Sequence, residues 1–75
     1  MTDEQFLSQF TEALGADPGS LTLDTQLNTV ELWDSVAYLS VMTMVDESLG
    51  VAINPDQLVQ AGTPRSILEI ARAAA

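Results

Sequence analysis

Seventy-five residues support one small domain with a modest core, and the lack of cysteine and histidine closes off most side-chain chemistry. Disulfides, thiolate nucleophiles and thiolate metal sites go with the first, the commonest general base and zinc ligand with the second. Two arginines, no lysine and eleven acidic residues set the formal charge at −9. That charge excludes nucleic acid, disfavours anionic membrane, and steers the chain towards basic patches on other proteins.

The N-terminus, Met1-Thr2-Asp3-Glu4, is acidic where a signal peptide is basic, and no apolar run reaches membrane length. The expectation is a cytoplasmic chain. Apolar residues make up 47%, enough for a globular fold.

Thr2 and Gln5 have the spacing of a capping box, and Asp3 and Glu4 suit a helix N-terminus. Phe6, Phe10, Ala13 and Leu14 form an amphipathic stripe with Leu7 on its flank, and Gly15 follows as a stop. A helix over Asp3 to Leu14 is predicted. From Gly15 to Asp34 no period holds. Asp17-Pro18-Gly19-Ser20 is a turn cluster, and Leu21, Leu23, Leu27, Val30 and Leu32 are expected to pin a long loop to the core.

Asp34 is a good N-cap for a helix over Ser35 to Leu49, which Gly50 closes. Tyr38, Val41, Met42, Val45 and Leu49 fall in a sector roughly 100° wide, a core-facing stripe. Val36, Leu39 and Thr43 lie roughly 130° away, beside Ser40 and Glu47. That second apolar patch is either covered by the long loop or offered to a partner. Met44 falls off the stripe and is expected to be partly exposed. Small residues such as Ala37 leave possible space in the bundle.

Val51, Ala52 and Ile53 make a short connector, Pro55-Asp56 opens a single helical turn through Gln60, and Gly62 breaks it. Thr63-Pro64 restarts the chain as N-cap and first helical residue, with Ile67, Leu68, Ile70, Ala71 and Ala74 on the buried side. The architecture predicted is all-α, a small four-helix bundle of three main helices and one short one, with residues 1–75 as one domain.

Catalysis is hard to build here. A serine nucleophile needs a base, and neither histidine nor lysine exists to supply one. Paired carboxylates need a cleft that a bundle this small has little room for. The segment from Asp17 to Asp24 lacks the spacing, glycine and final glutamate of a calcium loop. One arrangement remains, Leu32-Trp33-Asp34-Ser35-Val36, a serine in the first turn of a helix. Free backbone N–H groups and the positive dipole end favour a phosphate ester there. The bland alternative is an ordinary helix start.

The chain resembles the acyl carrier protein family over nearly all of its length. The resemblance rests on Asp34-Ser35-Val36 with Leu39 one turn on, the acidic pair Asp46-Glu47, Leu49-Gly50-Val51, Ile53 before Pro55-Asp56, and the capped last helix at Thr63. Leu23-Asp24-Thr25-Gln26-Leu27 also looks like the family's approach to its serine helix. The resemblance implies that a phosphopantetheinyl transferase esterifies Ser35 with 4′-phosphopantetheine, while Asp34 completes the motif. The arm's thiol then carries an acyl or aminoacyl thioester between a loading ligase or transferase and a downstream synthase or transferase, and the chain itself is no enzyme.

Val36, Leu39, Ser40, Thr43, Asp46 and Glu47 would be the partner-recognition surface, on a monomeric protein. Trp33 is either a loop anchor or a further partner contact. Val36 in place of the commoner Leu, Ser40 where an acid is frequent, and Trp33 before the Asp depart from fatty-acid carriers. Ser40 and Trp33 point instead to a dedicated secondary-metabolite or cell-surface pathway. A different class of reading is a small acidic helical adaptor for a basic partner, without a prosthetic group.

Overall fold

In the computed structural model, which describes residues 1–74, Thr2 opens the first helix, α1 (Asp3–Leu14), as its sequence predicts. Thr2 Oγ1 accepts the Gln5 N–H at 3.1 Å while Gln5 Oε1 accepts the Thr2 N–H at 2.9 Å, so two orphan donors are satisfied reciprocally. Gly15 ends the helix in the left-handed region, φ 74°, where a side chain would be strained. Phe6 and Phe10 are fully buried and their rings stack at 6.0 Å. Leu14 is buried with them, whereas Ala13 and Leu7 sit half-buried at the edges. Thr11 also faces inward, which its hydroxyl permits by donating to the Leu7 carbonyl at 2.8 Å.

The long loop is held at several points rather than left free. Leu21 and Leu27 are buried, Leu23 and Val30 half-buried, and Leu27–Thr29 forms one 3₁₀ turn. The Leu27 N–H donates to the Gly62 carbonyl, and the Arg65 N–H to the Leu23 carbonyl, both at 2.9 Å. Arg65 adds a two-pronged contact from Nε and Nη2 to the Asp24 carboxylate, at 2.9 and 3.3 Å. One expected pin fails. Leu32 is 46% exposed, because tight turns (Trp33 N–H to Val30 carbonyl, Asp34 N–H to Leu32 carbonyl) bring Trp33 inward instead. The indole lies 5.7 Å from the Phe10 ring and occupies the inward position expected for Leu32.

Helix α2 (Ser35–Leu49) is capped as expected, by Asp34 at one end and Gly50 at the other. Its buried side is turned by roughly 65° from the predicted stripe. Val41 and Val45 are fully buried as expected, but Ala37 and Met44 join them, and Tyr38, Met42 and Leu49 are only half-buried. Met44, expected at the edge, is therefore core, and Ala37 is packed inside it. The helix carries apolar side chains around most of its circumference, so which arc is buried depends on its neighbours α1 and α3.

Helix α3 (Pro55–Ala61) is longer than one turn, because Asn54 caps it with a box of its own. Asn54 Oδ1 accepts the Gln57 N–H at 2.9 Å, and Gln57 Oε1 accepts the Asn54 N–H at 3.0 Å. Leu58 anchors it in the core. Helix α4 (Pro64–Ala74) starts where Thr63 Oγ1 accepts the Ser66 N–H. Ile67, Leu68 and Ala71 are buried and Ile70 half-buried, but Ala74, predicted inside, is exposed in the last turn. The result is an all-helical bundle of four helices, with no strand among the described residues.

Candidate functional site

Asp34 adopts an extended conformation, φ −131° and ψ −172°, and its Oδ1 accepts the Ala37 N–H at 2.9 Å. That bond satisfies one of the free donors at the start of α2 and fixes where the helix begins. Ser35 is the first residue inside it. Its side chain is exposed, and its hydroxyl makes no hydrogen bond among the described residues.

Other serines are less available. Ser20 Oγ is tied to the Asp17 carbonyl at 2.6 Å, Ser48 Oγ to Gln9 Oε1 at 2.6 Å, and Ser66 Oγ to Thr63. Ser40 is half-buried, and Ser8 lies in the middle of α1, away from any helix start. Ser35 alone combines an open hydroxyl with the positive end of a helix dipole.

Trp33, two residues before Ser35, is half-buried between Phe10 and Tyr38. Its ring meets Tyr38 edge-on at 4.7 Å, a favoured aromatic geometry. The approach to Ser35 is thereby fastened both to α1 and to the first turn of α2 itself. The indole thus acts as an anchor, with part of its surface still open.

The long loop does not cover the second face of α2. Val36 is 71% and Leu39 64% exposed. Thr43, Asp46 and Glu47 are exposed further along the same helix, and Ser40 is half-buried at the margin. Asp46 and Glu47 share an open hollow of about 300 Å³ with Met42, Thr43, Ala52 and Ile53. Ala52 and Ile53 lie just past the Gly50 cap, outside the helix, so helical periodicity carried no sign of this neighbourhood. Exposed Leu32 is likewise an apolar neighbour of Ser35 that the sequence placed inside.

Both arginines are engaged elsewhere. Arg65 pairs with Asp24, and Arg72 Nη2 contacts Asp3 at 2.8 Å and the Met1 carbonyl at 3.3 Å. No ion pair involves Asp34, Asp46 or Glu47 among the described residues, so no cationic side chain there offsets their charge. No group of acidic side chains among those residues is arranged to hold a metal ion, and no helix is long and apolar enough to cross a membrane.

At the mouth of the central helix an open alcohol is flanked by an uncovered apolar face with acidic neighbours, an arrangement that suits a helical carrier domain. The phosphopantetheine attachment site family matches residues 4–71, and the chain belongs to that family, among the acyl carrier proteins. The family bears 4′-phosphopantetheine covalently on a serine, and its carrier domains are not themselves catalytic. They work with phosphopantetheinyl transferases and pathway enzymes. No curated protein and no solved structure matches the chain.

Proposed function

We propose that residues 1–75 act as one discrete, monomeric, cytoplasmic carrier domain whose 4′-phosphopantetheine is attached through Ser35 Oγ. The observation that carries this is the free, exposed Ser35 hydroxyl at the capped start of α2. A phosphodiester there sits beside backbone N–H groups that lack helical partners, which is favourable for an anion. The Asp34 carboxylate opposes a second negative charge nearby, and its role is to hold the helix start in place through the Ala37 N–H. Bound in this position, the arm supplies the thiol that the chain lacks and carries acyl or aminoacyl cargo as a thioester.

Val36, Leu39 and Thr43 form the apolar part of the surface that meets the phosphopantetheinyl transferase, the loading ligase or transferase, and the downstream enzyme. Ser40, Asp46 and Glu47 border it and favour basic partners. Trp33 contributes its open edge to the same surface while anchoring the approach to Ser35. The pathway is a dedicated secondary-metabolite or cell-surface one, a preference that rests on Trp33 and Ser40.

Intact mass after incubation with coenzyme A and a broad-specificity phosphopantetheinyl transferase tests the reading. Addition of one phosphopantetheine is expected, and none in Ser35→Ala. No addition under conditions that modify a control carrier would replace this reading with that of an acidic adaptor.

A further inference from the structure

Away from α2, a groove of about 420 Å³ runs between the outer face of α1 and the start of the long loop. Glu4, Leu7, Ser8, Thr11 and Glu12 form its α1 side, spaced so that they share one helical face, and Ala16, Pro18, Gly19 and Leu21 form the other. Its size is in the range of sites that enclose a ligand or a few anchoring side chains. Most of its wall is apolar. Leu7 lies at the edge of the core with part of its surface left over, and Thr11 has already turned its hydroxyl back onto the Leu7 carbonyl.

The polar rim is anionic. Glu4 and Glu12 are eight residues apart, about 12 Å along the helix. Both are exposed, and neither takes part in an ion pair among the described residues. The chain has no lysine, and its two arginines are committed to Asp24 and Asp3, so no cationic side chain of its own is left to place there.

We propose that this groove is a second docking surface, and that its occupant is a cationic amphipathic segment of a partner protein. Apolar side chains from one face of that segment fill the space over Leu7 and Thr11. Lysine or arginine on its flanks meets Glu4 and Glu12. No residue of the groove belongs to α2, so a partner can remain attached there while another site engages Ser35. Such tethering raises the effective concentration of the enzyme at the carrier without any new contact at the arm. The surface is independent of the modification at Ser35, and Ser35→Ala protein is expected to bind equally well.

The test is titration of the isotopically labelled full chain with a synthetic helical peptide bearing two leucines one turn apart, flanked by lysines. Amide shifts are expected to concentrate in residues 4–21, with affinity falling as salt rises. Ser8→Trp fills the groove from an exposed position without entering the core, and is expected to weaken binding about tenfold with the fold intact. The double change Glu4→Gln, Glu12→Gln is expected to flatten the salt dependence.

Shifts centred on residues 36–47, or binding indifferent to Ser8→Trp, overturn the proposal. So does uptake of the neutral dye Nile red that Ser8→Trp abolishes and salt leaves unchanged, which would give the groove to a small apolar ligand. A dimer in sedimentation that Ser8→Trp dissolves overturns it in favour of a second copy of the chain.

Discussion

Val41 and Val36 stand five residues apart on α2; the first is fully buried and the second is 71% exposed. Around Val41 are Ala37, Met44 and Val45, all inside the core; near Val36 along the helix are Ser35, Leu39 and Thr43, all exposed. The same side-chain chemistry does two kinds of work according to which arc of one helix it occupies. Burial of the first arc holds the bundle together, while exposure of the second costs little and keeps an adhesive surface beside the serine. The two arcs can therefore be altered separately.

The largest effect expected from doing so is on stability. Val41→Ala removes two buried methyl groups and should lower stability by about 2 kcal/mol, a drop of about 10 °C in thermal midpoint for a domain of this size. Val36→Ser should leave stability within about 0.5 kcal/mol of the starting protein yet slow modification at Ser35. Equal destabilisation by the two changes, measured by thermal unfolding, would erase the distinction between the arcs.

A smaller effect lies in the charge beside the exposed arc. Asp46→Lys with Glu47→Lys should reduce the association rate with a phosphopantetheinyl transferase about tenfold at low ionic strength, with the two proteins converging as salt screens the difference. Stopped-flow rates that ignore both substitution and salt would restrict recognition to the apolar side chains.

The smallest concerns the loop that leads to the helix. The Arg65 guanidinium, through its hydrogen bonds and then its charge, holds the Asp24 carboxyl below its ordinary 3.8. A lowered folded value means that the pair contributes above pH 3.8, its value in the unfolded chain, and that the contribution fades as pH falls through the lower folded value. Both groups are exposed, so the effect is slight. Asp24→Asn should lie just below the original protein in stability at neutral pH, and the two should merge in acid. A gap that persists once the carboxyl is protonated would mean that the loop depends on Asp24 for something other than its charge.

Legibility in the sequence varied with how many local signals agreed. In α1 the capping pair Thr2 and Gln5, the stripe through Phe6 and Phe10, and the stop at Gly15 all point to the same bounds, and the helix has those bounds. Helix α2 has clear ends but an ambiguous middle. Apolar residues on several sides let the predicted stripe settle on Met42 and Leu49, when contacts with neighbouring helices draw in Ala37 and Met44.

The length of α3 was hidden in Asn54, a capping residue that reads equally well as loop. Leu32 and Trp33 exchanged places because local hydrophobicity does not say which of two adjacent apolar residues a tight turn will present inward. At the site, the position of Ser35 followed from Asp34, and helical periodicity put Val36 and Leu39 off the core stripe but left open whether the long loop covered them. The hollow shared by Asp46 with Ile53, and the groove on α1, form where a helix meets the loop that follows it, which helical periodicity does not describe.

The paired backbone bonds from Leu27 to Gly62 and from Arg65 to Leu23 have a mechanical consequence. They lace the hinge between the last two helices to the strap of chain that feeds the serine, so neither can swing out alone. Prying that hinge open would break both bonds and release the strap in the same motion, loosening the threshold of the central rod.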